Sequence, residues 1–309
     1  MYAEYEDALK AMTQAGIGPA DPLTTPLQEA RAIQNRYFAF LGSELPLIDH
    51  FEDAHIEGPV ESIPLRVFYP AGTGPFPVVL FLRGAGWWAG GLDSHARTAR
   101  LIAIESGFAV CAAGYHCSPE FKCPAQLNEV LCARRWLRNN AASLGLDGGN
   151  IVLWGESAGA NMCLAASQAL RDDREDLPCG LILFYGNFAG PSPASRPYSK
   201  WVWKQYLRDP SRAKDPRAVP LLAGMGGLPP MWLGVGDADP LLKDTLALAE
   251  KLRAAAVPHQ VVVYPGLPHA FAMLNRIFAG AVEAIRDAAQ SAQSFVNTAA
   301  PQRDTAATE

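Results

Sequence analysis

The stretch Ile151-Val152-Leu153-Trp154-Gly155-Glu156-Ser157-Ala158-Gly159 decides how this chain is read. Apolar residues of strand character run into Gly-x-Ser-x-Gly, and an apolar pattern of helical spacing follows as far as Asp172. A strand that turns sharply into a helix at a serine is a nucleophile elbow. The turn holds Ser157 in a strained backbone conformation with its hydroxyl exposed, and the glycines two positions to either side leave room for it. The helix that starts after Ser157 points free N–H groups and the positive end of its dipole at any oxyanion forming there, with the N–H of Ala158 nearest.

Working outward, short runs rich in Val, Ile, Leu and Phe recur at 63–69, 78–82, 108–113, 181–185, 231–235 and 260–264, beside 151–154 itself. Between them, 125–143 carries Val130, Ala133, Leu137 and Ala141 at helical spacing, and 241–256 carries Leu242, Leu246, Ala249, Leu252 and Ala256. That alternation predicts an α/β fold, a mostly parallel sheet with helices on both faces. Two regions break it. Residues 1–50 hold amphipathic helical stretches around Pro and Gly, and 187–225 is Pro-rich and holds Trp201 and Trp203. Both flank core elements directly, so the expected organisation is a single domain. It comprises N-terminal cap helices over 1–50, a core over 51–186 and 226–298, a cap insertion over 187–225, and a flexible tail over 299–309.

Composition narrows the partners. The 309 residues are 49% hydrophobic, enough for one large core, and the net charge of −5 mixes both signs without a Lys/Arg cluster. Nucleic acid and an anionic membrane surface are therefore excluded, and a small molecule is the expected partner. The opening MYAEYEDALK is acidic where a secretory signal is basic and then apolar, and no apolar run reaches membrane-spanning length, so a cytoplasmic location is expected. Six cysteines, Cys111, Cys117, Cys123, Cys132, Cys163 and Cys179, lack the paired spacing of a zinc site and read as reduced, largely buried side chains. No metal is expected. The Ala and Val faces of 280–297 suit either a homodimer contact or a cover over the sheet.

A serine hydroxyl is a weak nucleophile near neutral pH, so the elbow demands a histidine base and an orienting carboxylate, in the chain order Ser, Asp/Glu, His. Of six histidines, only His269 follows a strand beyond the elbow with a short loop between, in Val261-Val262-Val263-Tyr264-Pro265-Gly266-Leu267-Pro268-His269. His259 precedes that strand, at the wrong end of the sheet. The strand at 231–235 leads into Gly236-Asp237-Ala238-Asp239-Pro240-Leu241, where two aspartates compete. Asp239, ahead of a proline at a helix start, also suits a capping role, and the two roles are compatible.

Over about residues 60–290 the chain resembles the hormone-sensitive-lipase-like branch of the α/β-hydrolases, which includes many bacterial esterases. The matches are Gly-Glu-Ser-Ala-Gly-Ala-Asn at 155–161 and Asp239-Pro240-Leu241-Leu242-Lys243-Asp244 against the family's Asp-Pro-Leu-x-x-Asp. His269-Ala270-Phe271 stands for His-Gly-Phe, and Tyr115-His116-Cys117-Ser118-Pro119-Glu120, with Pro124 and Ala125, stands for Tyr-Arg-Leu-Ala-Pro-Glu. The resemblance implies an α/β-hydrolase fold with an eight-stranded sheet and a helical cap, a triad of Ser157, Asp239 and His269, and no cofactor.

One motif departs from the family. Its His-Gly-Gly-Gly-Trp loop is Arg83-Gly84-Ala85-Gly86-Trp87 here, so by position the oxyanion donors are the N–H groups of Ala85, Gly86 and Ala158. An alanine at positive φ in the second glycine position costs about 1–2 kcal/mol or changes the loop path. Arg83 has two readings, as a brace of the loop or as a partner for a substrate carboxylate. Trp87, Trp88, Trp201 and Trp203 suit either an aromatic pocket wall or core packing. The expected function is carboxylic ester hydrolysis through an acyl-enzyme, with a small or medium acyl ester as substrate. Amides, formamides or lactones fit the same triad, and a ligand-binding or lyase relative fits an altered oxyanion loop.

Overall fold

The seven apolar runs each form a strand, and an eighth strand precedes them. In a computed structural model that describes residues 3–306, the strands are β1 (His50–Ile56), β2 (Ile63–Tyr69), β3 (Phe76–Leu82), β4 (Ala109–Ala113), β5 (Leu146–Glu156), β6 (Gly180–Phe184), β7 (Met231–Gly236) and β8 (His259–Tyr264). The helices are α1 (Ala3–Gln14), α2 (Leu27–Leu41), α3 (Ala96–Ser106), α4 (Ala125–Asn140), α5 (Ala158–Asp172), α6 (Pro197–Tyr206), α7 (Leu242–Ala254) and α8 (Ala279–Ala306). The sheet order is β1-β2-β4-β3-β5-β6-β7-β8, antiparallel at β1/β2 and β2/β4 and parallel elsewhere.

β4, β6 and β7 are buried along their whole length, as strands covered on both faces must be. Helices α3 and α8 pack together on one face, α4 and α5 on the other, and α7 lies against β7 and β8. This is the mostly parallel, doubly covered sheet that the sequence predicts. The small-residue face of α8 covers it: Ala281, Ala284, Ile285, Ala288, Ala289 and Ala292 are fully buried. The helix runs on to Ala306, past the expected end of the core, and positions 307–309 of the expected tail lie outside the described residues.

β1 escapes a reading by periodicity because it is an edge strand, exposed over most of its length and paired with β2 alone. β5 begins five residues earlier than its apolar run, at Leu146, where Gly148 and Gly149 carry no hydrophobic signal and the pairing with β3 shifts between Phe76 and Val78.

The segment 187–225 docks on the core through side chains reaching its backbone. Asn161 Nδ2 donates to the carbonyls of Asn187 (2.7 Å) and Ala218 (3.0 Å), and Gln168 Nε2 donates to that of Pro220 (3.0 Å). Asp244 Oδ2 accepts the N–H groups of Phe188 (2.9 Å) and Ala189 (2.8 Å). Burial pushes the Asp244 carboxyl above its ordinary range, against the pull of those two N–H groups. Replacing it leaves both donors without an acceptor, so Asp244→Ala should lower unfolding stability by about 1–3 kcal/mol in a urea titration.

Candidate active site

Parallel strands deliver their C-terminal ends to one edge of the sheet, and the chemistry collects there. β3 leads into Arg83, β5 into Ser157, β6 into Tyr185, β7 into Asp239 and β8 into His269. The register holds these ends level, with Leu82 opposite Gly155, Gly155 opposite Leu183 and Gly236 opposite Tyr264.

Ser157 has φ 52° and ψ −110°, and α5 starts at the next residue. The flanking glycines are required by close approach: a Cβ on Gly155 would lie 2.5 Å from the N of Ala160, and one on Gly159 would lie 1.9 Å from the carbonyl oxygen of Leu82. The Ser157 N–H donates to the carbonyl of Phe184 at 2.9 Å, tying the turn to the neighbouring strand.

The structure brings Ser157, His269 and Asp239 together. Ser157 Oγ lies 3.0 Å from His269 Nε2, and His269 Nδ1 lies 2.8 Å from Asp239 Oδ2. A carboxylate only accepts, so the proton of a neutral imidazole sits on Nδ1 and Nε2 is left to accept from the serine. The Asp239 side chain is fully buried, and its other oxygen accepts the N–H of Leu241 at 2.7 Å, a bond within the turn ahead of α7; the helix itself starts at Leu242 without a side-chain cap, so the expected capping role is not filled. Asp237 is exposed and accepts the N–H of Gly266 at 2.6 Å, bracing the loop that carries His269.

The loop after β3 passes beside the elbow, where a Cβ on Gly84 would sit 3.5 Å from that of Ser157. Ala85, Gly86 and Trp87 all have positive φ, at 82°, 57° and 62°. Ala85 therefore adopts the strained conformation. The Tyr115 hydroxyl, fully buried and pushed well above the ordinary phenol range by that burial, donates to the carbonyl of Arg83 at 2.9 Å and more weakly to that of Gly84 at 3.4 Å. In a trans peptide the N–H points opposite its carbonyl, so the N–H groups of Gly84 and Ala85 face away from Tyr115. Among the described residues no group accepts the N–H of Ala85 or Gly86.

Arg83 is 3% exposed. Its Nη2 donates to the carbonyl of Tyr115 at 2.9 Å, its Nε to that of Ala89 at 3.4 Å, and its guanidinium lies 3.7 Å over the Tyr115 ring. These contacts join the start of the loop to Tyr115 and Ala89, while Nη1 has no hydrogen-bond partner among the described residues. Trp87 is stacked on Tyr206 at 3.9 Å and packs against Trp203, while Trp88 meets Trp201 edge-on and donates from Nε1 to Tyr198 at 3.2 Å. Both are buried, and with the half-buried Trp201 they join the loop to α6.

Sequence reasoning missed the residue that ties this loop to the N-terminal helices. Arg31, on α2, donates from Nε to the carbonyl of Trp88 (2.8 Å), from Nη2 to that of Ser118 (2.6 Å), and bidentately to Glu120. The Ser118 N–H returns to the carbonyl of Trp87 at 2.8 Å. Through its hydrogen bonds the Arg31 guanidinium holds the Glu120 carboxyl below its ordinary range. Glu156 was likewise missed; burial raises its carboxyl to about 7, opposed by a hydrogen bond from Tyr185 and the charge of His269. A carboxyl raised in the folded state weakens the fold as pH climbs from 4.5 through about 7 and leaves it unaffected below. Among the described residues no group of three or more His, Cys, Asp or Glu is placed to hold a metal, and no helix is long and apolar enough to cross a membrane.

The profile of the family described as alpha/beta hydrolase fold matches residues 79–273. The chain is 31% identical over 247 residues to carboxylic ester hydrolase LipN of Mycobacterium tuberculosis, covering 74% of this chain and 66% of that protein, just under two thirds of its length. It is 28% identical over 241 residues to ethyl acetate hydrolase of Pseudomonas putida, covering 72% of this chain and 76% of that one. Among solved structures it is similar to the ester-hydrolase EH1AB1 from the metagenome of Lake Arreo, with a TM-score of 0.87 and 28% identity over 95% of this chain and 98% of the other.

Relieving the strain at Ala85 leaves its backbone N–H in place. Ala85→Gly should raise stability by up to about 1 kcal/mol, the strain released less the added freedom of the unfolded chain, while leaving turnover within about threefold. Thermal melting and steady-state kinetics read the two effects. Arg31→Ala removes the fork that fixes Trp88 and Ser118 and should cut kcat/KM by about tenfold or more, and Arg31→Lys, which keeps charge without the fork, should restore only part of it.

Proposed function

The chain belongs to the α/β-hydrolase fold family, in its hormone-sensitive-lipase-like branch, and from that premise we propose that it is a serine carboxylic ester hydrolase working through an acyl-enzyme. The observation that carries the reading is the continuous chain from Ser157 Oγ to His269 at 3.0 Å and on to Asp239 at 2.8 Å, at the ends of three parallel strands. Ser157 attacks the ester carbonyl carbon as His269 Nε2 takes its proton. Asp239 keeps the imidazole in the working tautomer and stabilises its cation. The N–H groups of Ala85, Gly86 and Ala158 hold the oxyanion, which they meet without reorganisation because the loop is already pinned. The alcohol leaves with the proton from His269, and a water activated by the same histidine releases the acid and regenerates Ser157.

Esters are favoured over amides and lactones because LipN and ethyl acetate hydrolase are both named for ester hydrolysis. Arg83 acts in this scheme as a brace of the oxyanion loop, since its contacts run to Tyr115 and Ala89. A series of p-nitrophenyl esters of rising acyl length tests the assignment. Wild type should show a burst and steady release, highest for short to medium chains. Ser157→Ala should abolish both, with turnover at least about 10⁴-fold lower. A folded wild type with neither burst nor turnover would move the reading to a ligand-binding or lyase relative.

A further inference from the structure

Glu156 is the last residue of β5, next to the nucleophile, and the mechanism above makes no use of it. Its side chain is 1% exposed, Oε2 accepts the hydroxyl of Tyr185 at 3.0 Å, and Oε1 is buried with no hydrogen-bond partner among the described residues. Tyr185 follows β6 directly at φ 40°, a conformation that a bulky residue holds only when its surroundings fix it. Its ring meets the His269 imidazole edge-on with centroids 5.1 Å apart and meets Phe271 at 5.3 Å. Its N–H donates to the carbonyl of Gly234, and the preceding carbonyl, of Phe184, accepts the N–H of Ser157. One strained residue thus touches the base through its ring, lies next to the backbone that holds the nucleophile's turn, and reaches Glu156 through its hydroxyl.

Resting on the ester-hydrolase reading, we propose that Glu156 is a positioning residue for His269, acting through Tyr185 to fix the imidazole and favouring, by its carboxylate charge, the imidazolium that forms as Ser157 is deprotonated. Full burial keeps such a charge effective at a distance that water would screen. The titratable groups facing the pair are His269 from the loop after β8 and Asp239 from the turn after β7, the latter bearing on Tyr185. Because burial raises the Glu156 carboxyl to about 7, its charge appears as the pH climbs through that value. Below that point the carboxyl is neutral and contributes only its hydrogen bond. Above it the negative charge is present and assists the proton transfer from Ser157 to His269.

The test compares wild type, Glu156→Gln and Tyr185→Phe in kcat/KM against pH on one ester. The wild-type to Glu156→Gln ratio should be near unity well below the midpoint and rise to about threefold to tenfold well above it. Tyr185→Phe keeps the ring on His269 but removes a hydrogen bond that favours the carboxylate, so the same rise should move to higher pH. A ratio independent of pH in both variants would overturn the proposal and leave Glu156 with packing alone. The rate of Ser157 phosphonylation by a fluorophosphonate, taken in the same three proteins, carries the same ratio without ester turnover. A chain that hydrolysed no ester would therefore refute the ester reading while the phosphonylation ratio still decided the role of Glu156.

Discussion

Ser157 sits at φ 52°, where a residue with a side chain stays only if everything around it insists. The sheet order supplies that insistence: β5 lies between β3 and β6, with further strands beyond each, so the strained turn grows out of the most enclosed part of the molecule. On the β3 side the carbonyl of Leu82 approaches so closely that only glycine fits at 159, and on the β6 side the carbonyl of Phe184 takes the Ser157 N–H. An elbow on β8, with one neighbour and partial exposure along its length, would lack both restraints. The same geometry begins α5 one residue later, which aims the N–H of Ala158 without any further device.

The other half of the site has no sheet to hold it. Ala85, Gly86 and Trp87 are three successive residues at positive φ in a loop, and their conformation is maintained by side chains from distant segments. Arg31 reaches in from α2, Tyr115 from the segment after β4, and Trp201, Trp203 and Tyr206 from α6, while Arg83 braces the loop from within. The second N-terminal helix and the 187–225 insertion therefore both hold the loop after β3 in place. Their contribution is rigidity where strain has to be held, which is what a preorganised oxyanion site requires.

This division explains what the sequence makes legible. The elbow can be read because its signal is local: strand, glycine, serine, glycine and helix lie within about twenty residues. His269 can be read because the parallel topology dictates which end of a strand carries function. Asp237 and Asp239, two positions apart on one turn, cannot be separated by local pattern, because what distinguishes them is the exposure of one and the burial of the other. Arg31 is invisible for a related reason. On an amphipathic helix an arginine reads as a solvated face, and its partners lie 57 to 89 positions away. Tyr185 reads as the last apolar residue of a strand run, and neither its positive φ nor its contact with His269 leaves a mark in the sequence.

Two carboxyl groups bracket the histidine, and their difference follows from hydrogen-bond supply. Asp239 has a donor at each oxygen, the Leu241 N–H and the His269 ring. Glu156 is as deeply buried but receives one donor, the Tyr185 hydroxyl, and leaves the other oxygen bare. Desolvation then outweighs hydrogen bonding and the group rises to about 7. A second donor at Oε1 would remove that sensitivity to pH, and a more exposed position would remove its influence on the imidazole. The site thus keeps one carboxylate placed for orientation and a second whose charge follows the medium, and the separation of their roles rests on burial together with one missing hydrogen bond.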